Sequence, residues 1–381
     1  MSSTMDPLHL VAHPHALWTR LGADGAASFD AAGRLMTWRE GALYFRRGLD
    51  NTILEMRRDA RGPWPWATRR IAGDSKLYHG LLARISRLQP DSARAEVYLD
   101  RARRGLEDAY RADARAFAAA IGPVPIVPPN HARSVVVRLT EGCAWNRCTF
   151  CSLYTRLPFR VRSTGEFRDH VRGALAYFGE GLGVRPEVWV GDASLLEAGA
   201  DAAVAALAAL KDELRPAERP AVVAFSDVPN AARLASDAAR ELARLGVRRL
   251  YLGVETGHGP LARDLAKAHR PDQVVEAVRR LHAAGIGAGV ILMVGIGGKT
   301  LAAAHRRDSA LLLTQLDLGG EDFVFLSPLD TQSRQGPLAG AEPFSEAELA
   351  HEVRAVRQDI RAAVARPSLR IADYGLDNFV Y

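Results

Sequence analysis

The chain has 381 residues, of which 48% are hydrophobic and 25% charged, a composition typical of a globular protein with a sizeable buried core. Its formal net charge is +6, yet only four of its 50 basic residues are lysines. Because the arginines alternate with Asp and Glu in segments such as ELRPAER, they indicate solvated helix faces rather than a surface for nucleic acid.

Neither a membrane segment nor a leader is expected from the pattern of apolar residues. The first residues lack a basic segment followed by a long apolar run, so we expect no signal peptide. The stretch AGIGAGVILMVGIGG at 284–298 is too short and too rich in glycine to span a bilayer. The predicted location is therefore cytoplasmic.

Residues 1–130 are predicted to form a mainly helical N-terminal domain or cap. Helical periodicity is visible in LYHGLLARISRL and in the long segment that begins SARAEVYLDRARRGLEDAY. The proline-rich stretch IGPVPIVPPNH at 121–131 then indicates a linker into the next domain.

Residues 131–330 alternate short apolar runs with alanine-rich amphipathic segments, which predicts strands alternating with helices. Runs that are apolar almost throughout are typical of strands buried on both faces of a parallel sheet. The predicted strands are SVVVRL (134–139), EVWV (187–190), AVVAF (221–225), RRLYLGV (248–254), GVILMVG (289–295) and DFVFL (322–326).

Helix boundaries in this region carry recognisable capping signals. Ser163 with Glu166, and Ser345 with Glu348, have the spacing of capping boxes. Six strand-and-helix units in succession predict an α/β fold, a six-stranded partial (β/α)6 TIM-type barrel with a right-handed wind. Residues 331–381 are predicted to add one helix and a short C-terminal extension.

All three cysteines of the chain lie within nine residues, in the stretch EGCAWNRCTFC. Cysteines grouped in this way in a cytoplasmic protein indicate a metal or redox site rather than disulfides. A structural zinc site needs four protein ligands, and the nearest histidines in sequence are His131 and His170. A [4Fe–4S] cluster on three thiolates would instead leave one iron open, which suits an enzyme. The candidate metal ligands in either case are Cys143, Cys148 and Cys151.

The same stretch, placed on the loop after the first predicted barrel strand, resembles the cluster loop of the radical S-adenosylmethionine (SAM) superfamily. The resemblance covers roughly residues 131–330 and is closest to the elongator/methylthiotransferase/nitrogenase-cofactor-type group. One difference is the spacing, which has four and then two residues between the cysteines where three and two are commonest. The extra residue is expected to bulge out of the loop.

The resemblance implies a [4Fe–4S] cluster and SAM as cofactors, with SAM held by GDAS (191–194), LGVETG (252–257) and ILMVGIGGKT (291–300). Glu255 has an alternative interpretation as half of a structural ion pair. VGIGGKT also suggests a phosphate loop, although it lacks the glycine spacing of one. The cofactor-binding residues implied are Phe150, Gly191, Asp192, Ala193, Glu255, Val294 and Gly295.

What the resemblance implies for activity is reductive cleavage of SAM to a 5′-deoxyadenosyl radical, which abstracts hydrogen from a substrate. Tyr154 is the candidate for a residue that reacts with the substrate radical. No cysteine remains for a second cluster, and residues 1–130 show no cobalamin signature. The partners expected are a small-molecule substrate and an external one-electron donor such as flavodoxin or ferredoxin, with no nucleic acid and no membrane.

Two other hypotheses stay open. One is a non-catalytic protein with a structural Cys3His zinc site. The other is an RNA-modifying enzyme with the same core, which would bind RNA through residues 1–130 with a steep dependence on salt.

Overall fold

The structure is a computed structural model, and it describes residues 8–62, 64–214, 220–329, 340–375 and 379–381. The chain divides into two compact units. The first unit comprises Met1–Val135, Arg172–Pro186 and Asp377–Tyr381, and the second comprises Val136–Val171 and Glu187–Leu376.

The first unit begins with a seven-stranded antiparallel sheet in which each strand pairs with the next along the chain. The prediction of a mainly helical N-terminal domain is therefore wrong for the first half of 1–130. Its strands alternate buried apolar residues with outward arginines and small polar residues, and this two-residue period is easily lost in so arginine-rich a segment. The strands are β1 (His9–Ala12), β2 (Ala16–Arg20), β3 (Gly25–Asp30), β4 (Leu35–Glu40), β5 (Leu43–Arg47), β6 (Thr52–Arg58) and β7 (Trp66–Ala72).

Three helices follow the sheet, where the helical periodicity predicted them. They are α1 (Ser75–Ile85), α2 (Ala93–Glu107) and α3 (Arg111–Ala120). One face of the sheet and helices α1 and α2 share a core in which Trp38 stacks on Phe45 at 4.4 Å between ring centroids. Helix α1 begins after Asp74, whose carboxylate accepts a hydrogen bond from the Leu77 amide, as an N-cap residue does.

The second unit contains a sheet of seven strands, and the α/β class predicted from the sequence is confirmed. All six predicted strands are present within about two residues of their expected limits. The strands are β8 (Val135–Arg138), β11 (Glu187–Gly191), β12 (Ala221–Ser226), β13 (Val247–Glu255), β14 (Gly287–Val294), β15 (Phe323–Pro328) and β16 (Arg370–Asp373). Pairing from β11 to β16 is parallel throughout.

Strand β16 is the difference from the six strands expected. It pairs with β15 at one edge, where Phe323 lies opposite Arg370, while β8 forms the other edge next to β11. The sequence interpretation placed these residues in a short tail, because RIAD is only four residues long and carries charge at both ends. The sheet is open at β8 and β16 rather than closed on itself.

Two helices begin at the capping residues expected. Ser163 and Glu166 form reciprocal hydrogen bonds at the start of α4, and Ser345 and Glu348 do the same for α11. Gly285, at φ +76°, follows α9 in the left-handed conformation that glycine adopts without steric cost. The helices are α4 (Thr164–Phe178), α5 (Ala200–Glu213), α6 (Val228–Arg233), α7 (Ser236–Arg244), α8 (Gly259–Asp264), α9 (Pro271–Ala283), α10 (Gly298–Thr314) and α11 (Glu346–Val364).

Two short strands and three 3-10 helices complete the described elements. The strands, β9 (Thr140–Glu141) and β10 (Arg160–Val161), pair with each other in antiparallel fashion. The 3-10 helices are Pro129–His131, Gly179–Val184 and Leu196–Ala198. Across the described ranges, none of the helices is long and apolar enough to cross a lipid bilayer.

A buried carboxylate ties α9 to the loop before β15 and gives stability a dependence on pH. Asp322 accepts hydrogen bonds from the Ala288 amide at 2.7 Å and from the Gly319 amide at 2.6 Å, and His282 Nε2 lies 3.1 Å away. This hydrogen bond raises the pKa of His282 above its ordinary value of 6.5. The histidine therefore stabilises the folded state most when protonated.

We expect the replacement His282→Gln to destabilise the protein below pH 6.5, by about 1 kcal/mol or less because the side chain is partly exposed. The difference from the wild-type protein should disappear as the pH rises through the raised pKa, since the neutral imidazole loses its charge-assisted bond. Urea unfolding at a series of pH values measures this difference in the free energy of unfolding. The exposed His351 offers a matched control, and a pH-independent difference for His282→Gln would contradict the prediction.

Candidate active site

The three cysteines lie on a loop at the carboxyl end of β8 that is closed at its base by a short hairpin. Strands β9 and β10 pair on either side of the loop, and Glu141 accepts a hydrogen bond from Arg162 at 2.6 Å across that pair. The hairpin fixes where the loop leaves and rejoins the sheet. All three cysteines are free and half-buried.

The loop is held against the residues that follow α8. Trp145 Nε1 donates to the Ala266 carbonyl at 2.8 Å, and the Thr149 amide donates to the Leu265 carbonyl at 3.2 Å. Within the loop, Asn146 has φ +40°, a conformation that asparagine tolerates better than most residues. Asn146 belongs to the four-residue spacer between Cys143 and Cys148, so the additional residue is accommodated by a local left-handed turn.

Backbone and carboxylate groups surround the first thiol. The Asn146 amide donates to Cys143 Sγ at 3.4 Å, and Glu197 Oε1 lies 3.7 Å from the same sulfur. Burial raises the pKa of the Cys143 thiol to about 11 and also raises that of Cys148. The Cys143 and Cys148 thiols therefore favour their protonated forms in the protein alone, and a metal that binds them has to displace those protons.

The donor set fits a cluster better than a single metal ion. In the ranges that the structure describes, no three His, Cys, Asp or Glu side chains converge as the ligands of one ion would. Three thiols on a partly exposed loop, bordered by apolar side chains, are suited to a cluster in which each sulfur holds a different iron. The apolar residues of this border are Phe150, Leu261, Leu265, Met293, Ile296 and Leu329, and Cys148 and Cys151 pack against them.

The histidines required by a Cys3His zinc site have other surroundings. His170 is buried in α4, and burial followed by Arg162 and Arg138 lowers its pKa to about 4. His131 lies in the first unit, where its Nε2 is 3.1 Å from Asn130 Nδ2. Neither belongs to a group of ligands with the cysteines in the described part of the chain.

Asp192, which follows β11, lies beside the start of the cysteine loop. Its Oδ2 accepts a hydrogen bond from the Gly142 amide at 3.2 Å, directly before Cys143, and Arg138 Nη1 is 3.9 Å away. The Asp192 amide donates to the carbonyl and the hydroxyl of Thr140 at 2.9 and 3.0 Å. Burial raises the pKa of Asp192 to about 6, so this carboxyl responds to any charged group placed next to it.

Glu255 ends β13 and forms an ion pair that the sequence interpretation had considered only as an alternative. Lys267 Nζ lies 3.2 Å from Glu255 Oε1, and both side chains are about nine-tenths buried. Burial alone would lower the pKa of Lys267, but Glu255 and then Cys148 outweigh it and raise the pKa. The ammonium also lies 5.7 Å from the centre of the Phe150 ring. The pair is therefore part of the cysteine site.

Backbone geometry at the end of β13 makes room for this pair. Glu255 has φ +64°, an unusual conformation for a buried glutamate, and the strand register shifts between Gly253 and Glu255. A Cβ atom on Gly253 would lie 2.8 Å from Glu255 Oε1, so glycine at 253 leaves space for the carboxylate. Strain held at a functional position in this way requires support from its surroundings.

Helix α10 supplies that support. Gly257 donates its amide hydrogen to Ser309 Oγ at 2.9 Å, and His305 Nδ1 lies 2.8 Å from Thr256 Oγ1. The missing Cβ of Gly257 also lets α10 approach, since a Cβ there would be 2.4 Å from the Asp308 carbonyl. Helix α10 thus holds the turn after Glu255 in place.

The remaining predicted residues fall into three environments. Phe150 is in the apolar border of the cysteines, and Tyr154 is buried, with the pKa of its hydroxyl raised by burial and then by Asp192. Gly191 and Ala193 flank Asp192 at the end of β11. The Val294 side chain is fully buried, which leaves only its backbone for contact with a ligand, and a Cβ atom on Gly295 would lie 2.7 Å from Leu349 Cδ1.

The phosphate-loop interpretation of VGIGGKT finds no support in the ion pairs of its lysine. Lys299 Nζ lies 3.0 Å from Glu342 and 2.8 Å from Glu348, near the start of α11. A lysine paired with two carboxylates connects α10 to α11 and is not free to bind phosphate.

Lys267 and Glu197 belong to the site but were missed in the sequence. Lys267 could have been noticed, because it is one of only four lysines in a chain that otherwise uses arginine. Glu197 reaches Cys143 from a 3-10 helix, and nothing in its sequence context distinguishes it from other surface glutamates. The position of Glu197 depends on the path of the chain between the end of β11 and this 3-10 helix.

Comparison with known proteins identifies a segment that lies mostly in the second unit. Residues 137–306 match the radical SAM superfamily, and they form a radical SAM domain. The comparison with curated proteins finds no match. The cofactors used by this superfamily are a [4Fe–4S] cluster and SAM, so the cofactors predicted from the sequence are confirmed for this domain.

Solved structures similar to this chain include the following three. The cobalamin-dependent SAM radical enzyme OxsB is 13% identical with a TM-score of 0.41, covering 81% of this chain and 36% of its own. The radical SAM methyltransferase TsrM from Kitasatospora setae is 17% identical with a TM-score of 0.40, and the match covers 51% of this chain and 34% of TsrM. Streptococcus suis SuiB is 14% identical with a TM-score of 0.46, and the match covers 88% of this chain and 71% of SuiB. The chain thus spans about a third of the length of OxsB and TsrM.

We expect the replacement Lys267→Met to destabilise the cofactor-free protein by about 3 kcal/mol, because Glu255 would be left buried without its counter-charge. Adding Glu255→Gln should restore most of that loss, since both charges are then gone. Denaturant unfolding of the two single variants and the double variant measures the coupling. Lys211→Met on α5 is the matched control, and additive losses at 255 and 267 would contradict the pairing.

Proposed function

We propose that this chain, whose residues 137–306 form a radical SAM domain, is an enzyme that binds a [4Fe–4S] cluster through Cys143, Cys148 and Cys151 and SAM beside it. When bound together, these groups supply a one-electron cleavage of SAM that yields a 5′-deoxyadenosyl radical able to abstract hydrogen. One observation carries the proposal. The cysteine loop, Asp192 and the Glu255–Lys267 pair lie together at the carboxyl edge of the sheet.

The residues around the cysteines have separable roles in this proposal. The three thiolates hold the cluster, and Lys267 offsets their negative charge beside Cys148. Asp192, with Gly191 and Ala193, is at the correct edge to accept the ammonium group of SAM, because its carboxylate is buried and only weakly paired with Arg138.

Two further positions are assigned to the remainder of SAM. Glu255 is proposed to bind its ribose or amino-acid portion, with Lys267 fixing the carboxylate direction. The backbone of Val294 and Gly295, at the end of β14, is proposed to contact the adenine, while Phe150 shields the cysteines from water. Tyr154 is the proposed hydrogen donor to a substrate radical, since its ring is buried near Asp192 and Cys151.

The proposal extends to the substrate and the electron donor. We propose a small-molecule substrate and an external one-electron donor such as flavodoxin or ferredoxin, because three cysteines supply ligands for one cluster only. The substrate's identity would come from deuterium transfer: labelled candidates are incubated anaerobically with SAM, and the label is sought in 5′-deoxyadenosine.

Anaerobic reconstitution of the wild-type protein is expected to give a brown protein with about four irons per chain. Changing any one of the three cysteines to alanine should lower the iron content and abolish SAM cleavage, because no other thiol can replace it. Iron analysis and the release of methionine and 5′-deoxyadenosine are the measurements. Colourless protein with one zinc per chain would instead establish the zinc alternative.

The replacement Asp192→Asn is expected to weaken SAM binding at least tenfold, about 1.4 kcal/mol, because a charged acceptor for the ammonium is lost while the shape is kept. Iron content should stay at the wild-type level, which separates this role from cluster binding. Equilibrium binding of SAM to the reconstituted protein measures the change. Asp237→Asn, on the exposed surface of α7, is the control, and equal SAM affinity in both variants would refute the role of Asp192.

A further inference from the structure

The first unit contains a cavity of about 590 Å³ whose lining comes entirely from that unit. Its walls are formed by strands β2 to β5, by the segment around 129–133 and by residues 184–185. Its volume is in the range of sites that bind small molecules. Nothing in the proposed SAM chemistry uses this cavity.

Arginines dominate the lining, and they divide into two groups. Arg34 and Arg47 both pair with Asp113, each at 2.8 Å. The other three are Arg46, Arg133 and Arg185, and among the described residues no ion pair joins any of them to a side-chain carboxylate. Three guanidinium groups thus border one cavity without a counter-ion from a side chain.

The charges of these three arginines act on one another. Burial, and after it Arg133 and Arg185, lower the pKa of Arg46 to about 10. Arg46 donates one hydrogen bond to the Ala132 carbonyl at 3.0 Å, and Arg185 lies over the Phe178 ring at 4.0 Å, with its Nε buried and without a hydrogen-bond partner. Such crowding is unfavourable in the empty cavity, and an anion would relieve it.

Negative groups close to the cavity are already engaged. The Asp30 carboxylate accepts hydrogen bonds from the amides of Ala32 and Arg34 at 3.0 and 2.9 Å. Asp30 and Tyr381, which also line the cavity, offset part of the charge on Arg185 but do not outweigh the effect of its burial. The excess of positive charge therefore remains.

A row of side chains leads from this charge to an exposed aromatic ring. Trp18, Ser28, Thr37 and Arg46 are direct cross-strand neighbours on successive strands, and the two hydroxyl oxygens are 2.7 Å apart. At the usual strand spacing, the row spans about 14 Å. Trp18 is 56% exposed although it is a large hydrophobic side chain, and it also borders a neighbouring cavity on the same face.

We infer that this cavity is a binding site for a small anionic ligand, whose phosphate or carboxylate group is held by Arg46, Arg133 and Arg185 and whose flat or apolar part lies against Trp18. The hydroxyls of Ser28 and Thr37 face the polar middle of such a molecule. Guanidinium groups are suited to oxyanions because their paired N–H donors match two oxygens at once. The site is separate from the cysteines and stands whether or not the SAM chemistry is correct.

Titration calorimetry on the full, cofactor-free chain in low-salt buffer tests the site with three probes: inorganic phosphate, adenosine 5′-monophosphate and benzoate. At least one should bind, and Arg133→Gln should weaken its binding at least fivefold. Arg133 is exposed, so its loss leaves packing intact. Arg94→Gln, an exposed arginine of α2, is the matched control and should bind like the wild-type protein.

Two further measurements separate binding from structure. Trp18→Ala should weaken binding of adenosine monophosphate more than binding of phosphate, because only the former has a ring to place on the indole. Arg133→Gln should leave the thermal unfolding temperature unchanged or raise it, since it removes an unpaired charge.

Absence of binding by all three probes would overturn the site. Wild-type affinity for the bound probe in both Arg133→Gln and Arg46→Gln would also overturn it. A single-stranded oligonucleotide that bound far more tightly than the monophosphate, with steep salt dependence, would overturn the small-ligand assignment in favour of nucleic acid.

Discussion

Parallel strands end at the same edge of a sheet, and the candidate active site depends on this geometry more than on any single contact. Cys143, Asp192, Glu255 and Val294 are spread over about 150 residues, but each follows or ends a strand of the second unit. Adjacent strands lie about 4.8 Å apart, so side chains at their carboxyl ends can share one ligand. The short hairpin of β9 and β10 then holds the cysteine loop over this edge.

Burial of charge is the second constraint on the site. Asp192, Glu255 and Lys267 are all withdrawn from water, and only Glu255 and Lys267 compensate each other fully. Burial raises the pKa of Asp192, and Arg138, 3.9 Å away, offsets only part of that rise. One paired and one underpaired carboxylate suit the SAM binding proposed above, because the ammonium and sulfonium groups of SAM carry positive charge.

The first unit differs in how its charged residues are distributed. Its antiparallel sheet covers one face with helices α1 and α2 and leaves arginines, hydroxyls and aromatic rings on the other. A sheet with one packed face and one solvated face is common, but unpaired guanidinium groups gathered around one cavity are not required for folding. The general richness in arginine concealed this local concentration, since a count along the chain cannot tell paired from unpaired charges.

The sequence by itself determined the grouping of the three cysteines, the six central strands and the two capping boxes, because these depend on local patterns of residues. It failed for β1 to β7 and for β16, whose short strands gain their stability from neighbours distant in sequence. Only the tertiary structure decided that Lys267 pairs with Glu255, that Glu197 reaches Cys143 and that Arg46, Arg133 and Arg185 share a cavity. Electrostatic partnerships of this kind depend on distances in space, which the order of residues does not specify.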